Sequence, residues 1–273
     1  MMRSLWTAAT GMKAQQTGVD TISNNIANVN TTAYKSQSTQ FKNLLYQTLQ
    51  TVTTSANGDP KPTGAQVGLG TRVASTNASF KQGAMKASDN PSALCIEGSG
   101  FLAVRGADGG TYYTRDGDLF WTINNTGGRE LANSSGNPVL DTEGNVIVLP
   151  EGASADTVVY DDEGLVSFKN PDGTYTSTEQ RIALFQFANP TGLEKESGNL
   201  YSATESSGAP INEQTTDLAI IRSSIRQGYT EMSNVNVADE MVNLIITQRA
   251  YELNSKAITT SDSMLDTANN LRR

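Results

Sequence analysis

The sequence predicts an α+β protein: long N- and C-terminal helices that pair as a coiled-coil-like base, with an inserted all-β domain of antiparallel sandwich or barrel type. Three observations carry this. The first proline is Pro60, and neither glycine nor proline occurs from Tyr229 to Arg273, so both ends are free to be helical. Apolar residues recur at intervals of seven at both ends, the coiled-coil period. Between them, turn signals arrive every ten residues or so: "DGG" at 108, "DGD" at 116, "NTGG" at 125, "SSGNP" at 134, "EGN" at 143, "DEG" at 162 and "NPDG" at 170. That punctuation suits short strands.

The N-terminal run places Leu5, Met12, Val19 and Ile26 on one row, with Ala8, Ile22 and Val29 on a companion row that Gln15 interrupts. It closes on an amide cluster, Asn24, Asn25, Asn28 and Asn30, matched at the other end by Asn234 and Asn236. Asparagine tolerates left-handed and turn conformations and bonds nearby backbone, which suits a place where a helix hands over to extended chain. A polar helix face with a frayed end fits the same residues.

Residues 46–70 follow, "YQTLQTVTTSANGDPKPTGAQVGLG". No charge occurs from Asn43 to Gly58, and Asn57-Gly58 is a two-residue turn signal between Thr- and Gln-rich arms that begin with Tyr46 and Leu49. Pro60 and Pro62 weaken a strand on the far side, so either an extended arm or a linker fits.

The β-rich runs "TYYTR", "NVIVL", "TVVYD", "LVSF" and "IALFQF" place the all-β domain at about 94–190. Residues 1–30 and 234–273 make the terminal helical domain; 31–93 and 191–233 form a connector region containing the arm.

The C-terminal run repeats the heptad with Val237, Leu244, Tyr251, Ile258 and Leu265, flanked by Ala250, Ala257, Met264 and Leu271. Asn236 is placed to cap this helix, with Asp239 and Glu240 in the first turn where they complement the dipole. A helix from Val237 to Asn270 spans about 50 Å at 1.5 Å per residue. A globule of this chain length has a radius of gyration near 19 Å. Both helices could lie on the β domain, but narrow seams and this length favour helix on helix, the plan of a polymer subunit.

Composition excludes much else. With 28 acidic against 20 basic residues the net charge is −8, which argues against nucleic acid or an anionic membrane surface as partner. There is no histidine and one cysteine, Cys95, so internal disulfides and His-based catalysis are excluded and no cofactor is expected. No apolar run is long enough to insert in a membrane, and "MMRSLWTAATGMKAQQ" is too polar for a cleaved signal peptide. Asp116 and Asp118 in "RDGDL", and Asp161, Asp162 and Glu163 in "DDEG", lack the ligand spacing of an EF-hand and read as turns. "GLGTR" at 68 and "EGSGF" at 97 fit neither a phosphate loop nor a nucleophile elbow. The chain reads as a non-enzyme.

The opening "SLWTAATGMKAQQTGVDTISNNIANVNTTAYK" and the closing "QGYTEMSNVNVADEMVNLIITQRAYELNSKAITTSDSMLDTANNLRR" resemble the bacterial flagellar rod and hook axial proteins. Within that family the likeness is to subunits of the distal rod. It extends inward through "FKNLLYQTLQT", "QVGLGTRV", "YYTRDGDL" and "NPTGLEKESGNLYSATESSGAP". Near residue 95 the family's Asp-Leu-Ala-Ile-x-Gly-x-Gly-Phe pattern is written "ALCIEGSGF", with Ala93 at the acidic position and Cys95 at the small one. The resemblance implies a structural subunit that stacks helically with copies of itself into a hollow drive shaft passing motor torque to the hook. It implies the proximal rod and hook proteins as further partners, and rings around the rod. It also implies location in the flagellar basal body, reached through the flagellar type III export apparatus. On it, residues 46–70 are an arm that stiffens the polymer. A proximal rod or hook subunit is the alternative within the family, and a β-domain surface adhesin the alternative outside it.

Overall fold

The computed structural model describes residues 2–50, 64–124, 127–150, 154–170, 174–215 and 221–271. Asn57, Gly58 and Pro60 of the arm lie outside the described residues. The chain divides into two compact units: Met1–Ala27, Gln37–Ala78 and Asn236–Arg273 form the first, and Asn28–Ser36 and Ser79–Val235 the second.

The first unit holds two helices, α1 (Met2–Ala27) and α2 (Val237–Asn270), and four strands, β1 (Gln37–Asn43), β2 (Tyr46–Gln50), β3 (Ala65–Gly68) and β4 (Thr71–Ala78). Helix α2 starts where its cap dictates: the Asn236 side chain accepts from Ala238 N at 3.1 Å and donates to Asp239 Oδ2 at 2.8 Å. That satisfies one of the four orphan amides of a helix start, and Asp239 and Glu240 follow in the first turn. Strands β1 and β4 pair antiparallel from Gln37↔Ala78 to Asn43↔Thr71, with a bulge between Gln40 and Phe41. The ladder runs on through Leu44 N to Gly70 O (2.9 Å) into the hairpin β2–β3, whose β2 strand is exposed at every position. Residues 37–50 and 64–78, part of the stretch 31–93 read from sequence as connector, group with the two helices in the first unit.

The second unit opens with β5 (Met85–Ala87), β6 (Leu94–Glu97), β7 (Phe101–Arg105), β8 (Thr111–Thr114), β9 (Leu119–Ile123), β10 (Arg129–Asn133) and β11 (Val148–Leu149). It continues with β12 (Val158–Tyr160), β13 (Leu165–Lys169), β14 (Tyr175–Arg181), β15 (Leu184–Gln186), β16 (Glu194–Lys195) and β17 (Leu200–Ser202). The last strands are β18 (Ile211–Asn212), β19 (Ser224–Gln227) and β20 (Tyr229–Glu231). A six-stranded sheet in the order β16-β17-β8-β7-β15-β18 is joined by the three-stranded sheets β11-β10-β9 and β12-β13-β14 and the pairs β19–β6 and β20–β5. Every pairing among the named strands is antiparallel.

The barrel expected as one form of the β domain is not found among the described residues. The six-stranded sheet ends on two-residue strands, β16 and β18, and does not close on itself. The frequent turns cut the chain into strands too short to wrap a full circle and distribute them over separate sheets. One close approach shows why glycine is needed: a Cβ at Gly117, in the "DGD" segment between β8 and β9, would lie 1.7 Å from Leu94 O, and Gly117 O accepts from Leu94 N. Burial is concentrated in this unit. Leu94, Ile96, Leu102, Val104, Leu119, Leu131, Ile147 and Ile182 form one apolar cluster. A second is built on edge-to-face rings, with Tyr113 and Phe187 centroids 4.8 Å apart and Phe80 and Phe101 5.4 Å apart.

Candidate assembly interface

The helix pair of the first unit is the place where sequence and geometry converge. Helices α1 and α2 pack antiparallel, and four facing levels recur every seven residues. Ser4 Oγ meets Ser261 Oγ at 3.3 Å. A Cβ on Gly11 would lie 2.9 Å from Asn254 Nδ2, and one on Gly18 would lie 3.3 Å from Thr247 Cγ2. Asn25 Nδ2 donates to Glu240 Oε1 at 3.0 Å. As α1 advances by seven, α2 steps back by seven, so one row of small and polar residues faces another along the pair. Among the described residues, Ala8, Gly11, Ala14, Gly18 and Asn25 are the buried positions of α1, and Ser261 is the buried position of α2.

This row is not the one that the apolar heptads marked. Leu5, Met12, Val19, Ile22 and Ile26 lie half-buried beside it on α1, as do Leu244, Ile258 and Leu265 on α2, while Val237 and Tyr251 are exposed. Val19 and Tyr251 line an open groove of about 470 Å³ with Gln16, Asp20, Gln248 and Glu252. On another side, Ile22 and Gly18 border a groove with β1, where Thr39 Oγ1 donates to Thr21 Oγ1 at 2.9 Å. Glycine in the facing row lets the helix axes approach closely, and the large apolar side chains are turned aside. Sequence reading missed Ser4, Gly11 and Gly18 because small residues carry no hydrophobic signal. Their own seven-residue spacing was the mark available.

Several large apolar side chains of α2 are uncovered within this unit. Met241, Val242, Ile245, Ile246 and Leu253 are all about half or more exposed, Leu253 at 67%. Trp6 on α1 is 70% exposed. A set of large apolar side chains along one helix is what an interface with another molecule looks like before it is covered. The β2–β3 hairpin adds Leu45, Tyr46 and Leu49, each more than half exposed.

The asparagines divide by role. Helix α1 runs through Asn24 and Asn25 and ends at Ala27; Asn28 and Asn30 lie in the turn that follows. Asn25, fully buried, accepts from Gln37 N at 2.9 Å and donates to Gln37 O at 2.8 Å, so its amide stands in for a neighbouring strand at the start of β1. Asn28 accepts from Thr31 Oγ1 at 3.1 Å. In the second unit Asn234 accepts from Ser36 N at 2.7 Å and donates to Ser79 O at 2.7 Å and Lys81 O at 3.0 Å. An uncharged amide meets both halves of a peptide group without an ionisable partner.

The second unit contains a buried ionic cluster that no sequence motif marked. Glu231 Oε1 accepts from Lys35 Nζ at 2.6 Å and from Gly83 N at 2.8 Å, and Glu231 Oε2 accepts from Arg115 Nε at 3.0 Å. All three side chains are at most 1% exposed. Burial and the Arg115 charge lower the pKa of Lys35, and Glu231 opposes them. Cys95 is a buried free thiol pushed up to about 11, by burial first and then by the Glu231 charge. Asp116 accepts from Asp118 N at 3.2 Å in its turn, and burial pushes its carboxyl up to about 6. Among the described residues no group of three or more histidine, cysteine or acidic side chains is placed to hold a metal ion. No described helix is long and apolar enough to cross a membrane.

Three family descriptions match successive parts of the chain. "Flagella basal body rod protein" covers residues 5–35, "Flagellar hook protein FlgE/F/G D1 domain" residues 95–168, and "Flagellar basal body rod FlgEFG protein C-terminal" residues 226–271. The first covers most of α1 and the turn after it, and the last covers β20 and all of α2. Among curated relatives, the flagellar basal-body rod protein FlgG of Borreliella burgdorferi is 43% identical, with 100% of each chain covered. That of Caulobacter vibrioides is 38% identical over 99% of this chain and 100% of its own, and that of Bacillus subtilis 35% identical over 100% of both. Identity of this order over the whole length shows that the chain belongs to the FlgG family of flagellar basal-body rod proteins.

Proposed function

We propose that the protein is a self-assembling structural subunit of the flagellar distal rod, not an enzyme, and that it transmits motor torque to the hook. The observation that carries this is end-to-end similarity to rod proteins in a chain whose C-terminal helix leaves large apolar residues uncovered. In this reading α1 and α2 form a coiled-coil-like base and pack against other copies through the apolar rows of Leu5, Met12, Val19 and Ile26 and of Leu244, Tyr251, Ile258 and Leu265. The second unit is the outer β domain, its sheets stacked as a sandwich. The β2–β3 pair forms an arm that reaches a neighbouring copy and stops the sliding between stacked subunits that would let the polymer bend.

The partners follow from that position: copies of the chain itself, proximal rod proteins below, hook proteins above, and rings around the rod. Delivery is by the flagellar type III apparatus. The test is electron microscopy of the purified full-length chain under polymerising conditions. Straight tubular polymers are expected. A chain that stays monomeric at every concentration and precipitant tried, while its β unit binds surfaces without the helical ends, would favour an adhesin instead.

A further inference from the structure

The second unit carries its charge in an unusual place. Arg115 lies just after β8, 2% exposed, with its guanidinium carbon 5.7 Å from the centre of the Phe101 ring. A guanidinium keeps its charge in a protein interior, so burying it without an anion is prohibitive. The carboxylate that pairs it comes from the last strand of the unit, 116 residues further on. The same carboxylate holds Lys35, from the first segment of the unit, and Gly83 N, just before β5. Arg115 also donates to Gly98 O at 2.8 Å between β6 and β7. Glu231 therefore touches or orders the entry segment, the turns flanking the core strands, and its own strand β20, which pairs with β5 through three residues and accepts from Ala33 N through Glu231 O at 2.8 Å.

We propose that Glu231 is a closing latch that makes the second unit open and close as one piece. A three-residue strand beside a three-residue partner has few hydrogen bonds of its own and would ordinarily fray alone. Withdrawing β20 here also withdraws the counter-ion of Arg115 and Lys35 and the acceptor of Gly83 N, leaving Lys35 with Lys81 O at 2.9 Å. The core strands β7 and β8 lose a satisfied interior at the same moment. Until residue 231 is in place the unit cannot close around Arg115. The segment that leads directly into α2 is thereby coupled to the β core.

The experiment is native-state amide hydrogen exchange on the full-length chain across a denaturant series. The amides of the β5–β20 pair and those of β7–β8 are expected to open with the same protection factor and the same denaturant dependence. Independent opening of β5–β20 at lower denaturant, with β7–β8 still protected, overturns the proposal. Glu231→Gln keeps the side-chain volume but removes the charge. It should speed exchange at β7–β8 on the order of a hundredfold or more, and unchanged protection there also overturns it. If that variant does not fold, the triple variant Lys35→Met, Arg115→Met, Glu231→Met decides. Recovery of a folded unit, now with β20 fraying on its own, supports the latch; failure to recover overturns it.

Discussion

Gly18 of α1 lies directly against Thr247 of α2, at a separation where a Cβ on residue 18 would sit 3.3 Å from the threonine methyl. This contact and its counterpart one heptad away at Gly11 and Asn254 set how closely the two helices approach. Gly18→Ala gains about 1 kcal/mol of helix propensity and asks the methyl to give by a few tenths of an ångström, so its net effect on stability should be small. Gly18→Leu cannot be fitted without separating the helices. It should lower helical content in circular dichroism and abolish polymerisation while leaving the second unit folded.

Asn25 and Glu240 give a charge test of the same pair. Asn25→Asp places a second carboxylate where the amide now donates to Glu240 Oε1 at 3.0 Å. Like charges this close destabilise, and the replacement also loses the donor to Gln37 O. The helix pair should melt earlier at pH 7 by an amount corresponding to about 2–4 kcal/mol. Part of that loss should return on acidification as one of the two carboxylates takes up a proton, which a series of melts at falling pH reads directly.

The apolar rows are tested by Ile258→Asp. Ile258 is half-buried beside the facing row, and a carboxylate there is desolvated fully only if a neighbouring copy covers it. Polymerisation should fail with little change in the melting of the isolated chain. Normal polymers from this variant would remove Ile258 from the interface.

Deletion of residues 46–62 removes β2 and the uncharged stretch beyond it. The chain should still polymerise through α1 and α2, but the polymers should be curved or flexible in electron micrographs. Straight polymers of unchanged stiffness would reduce the segment to a linker, and loss of all polymer would place it in the assembly core.

Asp116 sets a pH dependence. Its folded-state pKa, raised to about 6 from the usual 3.8, means that the folded protein holds the proton more tightly than the unfolded chain. The stabilisation is complete below pH 4 and is lost as pH rises through about 6. At pH 7 that loss amounts to roughly 3 kcal/mol at most. Asp116→Asn should therefore be more stable than the parent at pH 7 and should flatten the stability curve between pH 4 and 7. A parent curve already flat over that interval would contradict the burial of this carboxyl.

The sequence by itself determined the local elements. Helix α2 begins and ends where the glycine- and proline-free run and the Asn236 cap put it, because capping and propensity act within a few residues. The turn signals likewise announced short antiparallel strands, and the resemblance at both ends announced the family. What only the tertiary structure decided involves residues far apart in the chain or without a distinctive side chain. Ser4, Gly11 and Gly18 of the facing row went unread because close helix packing rewards a small side chain or none, and small residues have no hydrophobic period. Lys35, Arg115 and Glu231 look like ordinary surface charges in sequence. Only the fold, by bringing residues 196 and 116 positions apart to hydrogen-bonding distance and excluding water from them, makes them one buried cluster.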